Sequence, residues 1–188
     1  EVTVIKDDKT MNAFALPGGK IAVYTGIFPV AKTEAGLAAV MGHEVVHALA
    51  RHGGERMSQN TLAQTTLQAI GIALGVSGAN PVVSQGAMAA LGVGAQVGVL
   101  LPFSRKHESE ADYVGVLLAA DAGYDPRESI QLWTRMGELS GGKSASEFMS
   151  THPSHETRIE QLEEWMSEAM PIYQSKPPAP NHELPALR

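Results

Sequence analysis

Apolar and polar residues alternate over the first part of the chain and then change to a helical spacing. Residues 1–8 (EVTVIKDD) alternate, and a Pro-Gly-Gly turn at 17–19 separates a short strand from a β-branched strand around 21–25. A period of two is typical of half-buried strands, and a glycine-rich turn between two strands indicates a hairpin. The pattern therefore predicts a small antiparallel sheet at the N-terminus.

Helical spacing begins at Thr33 and returns in three later segments. Leu37, Val40, Glu44 and His47 follow Thr33 at the three- and four-residue intervals of one helix face. Further helices are predicted for residues 104–122, 126–139 and 155–170. Together with the sheet, these helices predict an α+β fold that is mainly α.

A long stretch in the middle of the chain has an unusual composition. None of the residues 57–104 is charged, and a break at 77–81 (SGANP) predicts two helices in a hairpin. Glutamines interrupt the apolar runs, so that none reaches the roughly 20 residues of a membrane span. Two interpretations remain open. The small-residue helices pack against the body of the protein or a partner, or the hairpin touches or partly enters a membrane.

Length and composition predict one folded domain followed by a tail. A chain of 188 residues can bury a core of its own, and we predict a single domain over residues 1–172 that includes the hairpin. Residues 173–188 are rich in proline and are predicted to be extended or disordered. One hypothesis places this tail in the cleft of its own chain or of a neighbour.

Charge and cysteine content exclude several classes of function. The net charge is −6, and we find no cluster of lysine and arginine that would neutralise phosphates, so a nucleic-acid partner is not expected. The chain contains no cysteine. This excludes a disulfide scaffold, thiol catalysis and a metal site built from thiolates.

The strongest chemical signal is His43-Glu44-Val45-Val46-His47, an HExxH arrangement. On a helix the two histidines lie one turn apart on one face and can reach the same ion, while Glu44 stays close enough to act on water. A solvent-facing polar stripe fits poorly, because the neighbouring residues are valine and leucine. His52 is placed near the end of this helix, which we expect the Gly53-Gly54 pair to terminate.

A catalytic zinc site needs a third protein ligand, and Glu108 is the best candidate. Glu108 and Asp112 stand four residues apart on a predicted helix and therefore share a face. Asp112 would then accept a hydrogen bond from the outer nitrogen of a zinc-bound histidine. Glu110 lies on another side of the helix and is expected to face solvent or a basic neighbour. His107, one residue off the face, is expected at the surface.

With these residues in place, the chain resembles the HtpX and CAAX-prenyl-protease family of zinc metallopeptidases, which belongs to the gluzincins. Four stretches match in order, and together they span residues 12 to about 162. They are NAFALPGG, GHEVVHALARH, SRKHESEAD and STHPSHETRIEQL. Within the family the chain is similar to soluble or peripheral bacterial members and to the mitochondrial quality-control branch.

The resemblance implies a zincin-like fold, one Zn²⁺ per chain and a role for each matching residue. The matching positions are His43, His47 and Glu108 for the zinc ligands, Glu44 for the catalytic base, and Asp112 for a carboxylate that supports a ligand. His152 and Arg158 match a histidine and an arginine six residues apart in a segment that leans over the active site. There His152 would donate to the developing oxyanion, and Arg158 would support the local structure. His155 does not coincide with this pattern.

These parts predict a zinc endopeptidase in which Glu44 assists the attack of water on a peptide bond. Extended polypeptides are the expected substrates, in particular misfolded or membrane-associated proteins under quality control. The strand at residues 20–26 is expected to pair with the peptide. A bacterial cell-envelope location, periplasmic or peripheral to the membrane, is expected.

Two other functions are weighed against proteolysis. A zinc site that serves only stability would have four protein ligands and no use for a general base. A chaperone-like protein would hold unfolded chains through the hairpin at 57–104 and an apolar cleft, and this activity could accompany proteolysis.

Overall fold

The structure is a computed structural model of the chain, and it describes residues 1–140, 152 and 157–186. In chain order the elements are β1 (Val2–Ile5), β2 (Ala13–Leu16), β3 (Lys20–Tyr24), α1 (Phe28–Ala31), α2 (Glu34–Leu49), α3 (His52–Val76), α4 (Pro81–Ala95), α5 (Leu101–Asp121), α6 (Arg127–Ser140) and α7 (Arg158–Gln174). The predicted fold class, mainly helical with a small N-terminal sheet, is confirmed.

The sheet has three strands in the order β1-β3-β2. The hairpin is antiparallel, as predicted, and Gly18 and Gly19 form its turn with positive φ values of 91° and 78° that favour glycine. However, β1 pairs with β3 in parallel, so the sheet is mixed and not antiparallel throughout. Since β3 lies in the middle with both edges paired, the prediction that residues 20–26 accept a peptide strand is wrong. Within this sheet, β1 and β2 each have an outer edge that pairs with no other strand of the sheet.

The HExxH sequence lies on α2, which begins where the sequence predicted. The Thr33 side chain accepts a hydrogen bond from the Gly36 amide at 3.2 Å and caps the helix. The buried face of α2 packs on α5, where Gly42 and Gly115 face each other. A Cβ atom on Gly42 would lie 2.6 Å from the Gly115 carbonyl oxygen, and one on Gly115 would lie 2.8 Å from the His43 amide nitrogen. Only glycine permits this approach of the two backbones.

The core lies beneath the sheet, between α2, α5, α6 and α7. Its fully buried side chains include Val23, Ile27, Val40, Leu132 and Leu162. The bounds of α6 match the prediction closely. The helix predicted for 155–170 is α7, which begins at Arg158; residues 153–156, including His155, lie outside the described residues.

The predicted hairpin is formed by α3 and α4, and Asn80 caps α4 by accepting from the Val82 amide at 2.9 Å. It does not pack against the body. Among the described residues, His52 is the one buried residue of α3, and α4 has none. A π-helical turn at Gln96–Leu100 joins α4 to α5, so the helix expected from 104 is continuous with α4.

The helical run Pro81–Asp121 is long and apolar enough to cross a membrane, judged by length and composition. Its most apolar window of 18 residues has a mean hydropathy of 1.6, and none of that window is buried. No other helix in the described part of the chain meets this test. The apolar surface of the hairpin therefore faces outward.

The proline-rich tail is extended, as predicted, and it lies along the body. The Leu184 amide donates to the Lys32 carbonyl at 2.8 Å, and the Ala179 amide donates to the Gly123 carbonyl at 2.9 Å. Asn181 accepts a hydrogen bond from the first turn of α2. No described tail residue lines the cleft beside the HExxH residues, so the hypothesis that the tail occupies its own cleft is wrong.

Replacing Gly42 by alanine should lower the free energy of unfolding by about 1–3 kcal/mol, because the added methyl group forces α2 and α5 apart. Denaturant unfolding measures the change. Gly137→Ala on α6 is the matched control, since no atom lies within 4 Å of the position that its methyl group would take. That substitution should raise stability by up to about 1 kcal/mol through helix propensity. Equal stability of the two variants would contradict the role given to the glycine contact.

Candidate metal centre

Two helices bring two imidazoles and one carboxylate to a common point. His43 and His47 come from α2 and Glu108 from α5. The two Nε2 atoms lie 3.0 Å apart, His43 Nε2 lies 3.3 Å from Glu108 Oε2, and His47 Nε2 lies 3.4 Å from Glu108 Oε1. Ligands about 2.0–2.1 Å from a tetrahedral zinc ion lie about 3.3–3.4 Å from one another. The donor atoms are thus spaced as a zinc ion requires.

A fourth donor, His152, belongs to the same cluster. One ligand atom from each of His43, His47, Glu108 and His152 lies within 4.8 Å of the others. His152 Nδ1 is 3.2 Å from His43 Nε2, and its Nε2 is 3.3 Å from Glu44 Oε1. This position is compatible with a fourth metal ligand and also with a donor to a substrate oxygen.

Asp112 and Arg158 support the cluster from behind. His43 Nδ1 donates to Asp112 Oδ1 at 2.8 Å, so that Nε2 is the ring nitrogen turned toward the other donors of the cluster. Arg158 donates from Nε to Asp112 and from Nη2 to Glu108 Oε2 at 3.1 Å. Its guanidinium also lies 3.6 Å from the centroid of the Trp133 ring. The arginine therefore holds the carboxylates of Asp112 and Glu108 in place.

The buried charges of the site do not balance. Glu44, Glu108 and Asp112 are each at most 4% exposed, and among the described residues Arg158 is the one buried guanidinium beside them. With neutral imidazoles, two negative charges remain uncompensated in a region where solvation is poor. Neither oxygen of Glu44 makes a well-formed hydrogen bond to a residue that the structure describes. A divalent cation and its water would satisfy both requirements.

Burial and the neighbouring charged groups shift the pKa values of the site in different directions. Burial alone would lower the pKa of His43, but hydrogen bonds to Asp112 and Glu108 outweigh it and raise that pKa to about 10. Burial and the neighbouring His43 lower the pKa of His47 to about 2. Burial would raise the pKa of Glu108, yet its bonds to His152 and His43 lower it. Burial raises the pKa of Glu44, as a proton acceptor near neutral pH requires.

Sequence reasoning missed His52 and placed His107 wrongly. The chain does not continue as one helix to Gly53; α2 ends at Leu49, and α3 begins at His52. His52 is 5% exposed, and its Nδ1 lies 3.0 Å from His47 Nδ1. His107 is buried, not at the surface, because α3 covers it, and its ring stacks on His52 with centroids 4.3 Å apart. Glu110 is half exposed, with Oε2 3.6 Å from His52 Nε2.

The cluster lies in a cleft of about 710 Å³. One wall is β2 with the turn that follows it, and the other is formed by the end of α2 and the start of α3. Glu44, His47, Glu108 and His152 all line the cleft. The free edge of β2 thus runs beside the candidate metal site.

Comparison with known proteins identifies relatives along nearly the whole chain. The model of peptidase family M48 matches residues 1–166. The mitochondrial metalloendopeptidase OMA1 of Schizosaccharomyces pombe is 43% identical over 171 residues, which are 90% of this chain and 47% of the relative. OMA1 of Arabidopsis thaliana is 41% identical, over 92% of this chain and 33% of the relative. A putative β-barrel assembly-enhancing protease of Vibrio cholerae is 33% identical, over 81% and 32%.

These relatives correct two expectations from the sequence. The chain spans about half or less of the length of each relative. The relatives are OMA1 proteins and β-barrel assembly-enhancing proteases, so the resemblance to HtpX and CAAX-prenyl proteases holds only at the level of the wider family. The predicted bacterial cell-envelope location is wrong, because relatives from yeasts, a plant and vertebrates are all named as mitochondrial.

The enzyme class expected from HExxH agrees with the comparisons. The matched region contains His43, Glu44, His47 and Glu108, and the relatives carry the names of metalloendopeptidases and proteases. The chain belongs to peptidase family M48.

Proposed function

We propose that this chain is the catalytic region of a zinc-dependent endopeptidase that hydrolyses extended polypeptides. The observation that carries the proposal is the meeting of His43, His47 and Glu108 at zinc-ligand spacing, with the buried Glu44 beside them in an open cleft. Two imidazoles and a carboxylate are a donor set that zinc accepts at catalytic sites. One ion per chain is proposed.

Each residue of the cluster has a distinct part in the proposed mechanism. Zinc, when bound, supplies the Lewis acidity that polarises a peptide carbonyl and makes water more acidic. Glu44 takes a proton from the attacking water and later passes it to the leaving amine. His152, 3.3 Å from Glu44, donates to the carbonyl oxygen as negative charge develops there. Arg158 and Asp112 hold Glu108 and His43 in position.

The free edge of β2 is proposed to bind the substrate as a further strand. Phe14, Ala15 and Leu16 line the cleft together with the candidate metal ligands. Pairing through main-chain hydrogen bonds reads the backbone of a peptide and places few demands on its side chains. This mode suits misfolded or membrane-associated proteins, and quality control inside mitochondria is the role we propose from the OMA1 relatives.

Glu44→Gln should still bind the metal but lose peptidase activity by at least about 100-fold, since the amide cannot accept the proton of water. Hydrolysis of casein, with and without chelator, and metal content per chain are the measurements. A Glu44→Gln protein that still supports the proposed protein quality control in cells would show that the chain acts by holding substrates and not by cleaving them.

Glu108→Ala should remove bound zinc at concentrations that saturate the wild type, because two imidazoles alone hold the ion weakly. Elemental analysis after dialysis reports the loss. Glu110→Ala, two residues away and half exposed, is the control and should retain one ion per chain. Full zinc occupancy in Glu108→Ala would remove this carboxylate from the proposed ligand set.

We also propose that a lipid bilayer is the partner of the α3–α4 hairpin. The uncharged stretch that contains most of this hairpin, residues 57–104, is here named the apolar arm. Its surface faces outward and carries no charge. Arg51 and Arg56 precede it, with Glu55 between them, and Arg105 and Lys106 follow it. Residues 81–100 extend over about 30 Å as helix, which is close to the thickness of a bilayer core. An uncharged arm with basic residues at its base complements a bilayer that contains anionic lipid.

The wild type should float with vesicles of phosphatidylcholine and phosphatidylglycerol, and less well with phosphatidylcholine alone. Val76→Glu combined with Val82→Glu should reduce flotation at least tenfold, because both side chains are more than three-quarters exposed near the tip of the arm. Val4 is an exposed valine outside the arm, and Val4→Glu should leave flotation unchanged. A wild type that does not float but forms dimers abolished by the double substitution would assign the arm to self-association.

A further inference from the structure

We propose that His52 is a positioning residue for the metal centre: it accepts a hydrogen bond from His47 and so fixes which ring nitrogen of His47 faces the ion. The inference rests on the proposed zinc site and extends it to a residue beyond the four clustered donors. It is carried by the contact between the two rings and by the structure that holds His52 in place.

The contact has one arrangement of protons that is consistent with metal binding. His47 Nδ1 lies 3.0 Å from His52 Nδ1, and His47 Nε2 points toward His43 and Glu108. A nitrogen that binds a metal uses its lone pair, so the other nitrogen of His47 carries the hydrogen. His52 Nδ1 is therefore the acceptor, and the hydrogen of His52 is on Nε2, 3.6 Å from Glu110 Oε2.

The two metal-facing histidines are thus supported by different groups. His43 donates to the carboxylate of Asp112 at 2.8 Å, which is the usual kind of partner for such a histidine. His47 has an imidazole in the corresponding place. A neutral acceptor orients the ring without adding another negative charge to a site that already has an excess.

Packing from two helices fixes the plane of the His52 ring. It stacks on His107 of α5 with an interplanar angle of 14° and a centroid distance of 4.3 Å. His107 in turn lies with Nε2 3.1 Å from Glu55 Oε2 of α3. The stack and this contact join α3 to α5 directly behind His47.

The backbone between His47 and His52 contains a residue in a strained conformation. Arg51 adopts the left-handed conformation, with φ of 57° and ψ of 32°, which costs an ordinary residue about 1–2 kcal/mol. This residue lies between α2 and α3, and it turns the chain so that His52, five residues after His47, comes back against the His47 ring. The strained residue is the one that brings the two rings together.

Three variants separate positioning from simple packing. His52→Phe keeps a ring that can stack on His107 but has no acceptor for the His47 hydrogen. His52→Asn keeps an acceptor near the place of Nδ1. His107→Phe keeps the stack on His52 and loses the contact with Glu55. Co²⁺ is the probe, because its affinity is measured by chelator competition and its visible absorption reports ligand geometry.

We expect His52→Phe to weaken Co²⁺ binding about 10–100-fold, the range found when the partner of a metal ligand is removed, and to alter the visible spectrum. His52→Asn should restore most of the affinity, and His107→Phe should stay within about threefold of the wild type. His52→Phe with wild-type affinity and spectrum, and only a lower unfolding temperature, would overturn the proposal. A wild type that binds no ion would overturn the zinc site as well.

A second measurement needs no substitution. Long-range ¹H–¹⁵N NMR of the zinc-loaded wild type should show the hydrogen of His47 on Nδ1 and that of His52 on Nε2. The opposite tautomer of His52, with its hydrogen on Nδ1, would overturn the inference even if the variants failed to fold.

Discussion

The site depends on one close contact between backbones, the crossing of α2 and α5 at Gly42 and Gly115. No side chain separates the helices there, and His43 is the next residue on α2. At this distance the carboxylate of Asp112 reaches the ring of His43 directly. A wider crossing would leave the histidines of α2 and the acids of α5 buried but apart, which is the costly state for polar groups in a core.

The acids buried near this crossing are stabilised by a buried cation. Arg158 from the last helix neutralises part of the carboxylate charge and makes hydrogen bonds to both Asp112 and Glu108. The remaining excess is what raises the pKa of His43 and what a divalent cation would balance. The fold and the proposed catalysis therefore share one electrostatic requirement. The buried carboxylates need positive charge beside them, and a bound divalent cation would supply it.

The outer surfaces divide the proposed tasks. The free edge of β2 and the turn after it form a wall of the cleft, so an extended peptide added there would pass the candidate metal site. The apolar arm follows the C-terminal end of the HExxH helix, because α3 begins at His52, three residues after the last residue of α2. The surface proposed to contact lipid and the cleft proposed to accept peptides are thereby joined through the short segment that carries His52.

The sequence by itself determined the helix of HExxH, its cap at Thr33, the pairing of Glu108 with Asp112 on one face, and the uncharged hairpin. Each of these features depends on the spacing and composition of residues that are close together in the chain, so the sequence alone is enough to predict it. Only the tertiary structure decided that β3 lies in the middle of the sheet, that His107 is buried, and that His52 contacts His47. These depend on which element covers which, and for His52 on a left-handed residue that no periodicity reveals. Contacts between distant elements are set by packing and by the few positions where two backbones can approach, so they appear only once the chain is folded.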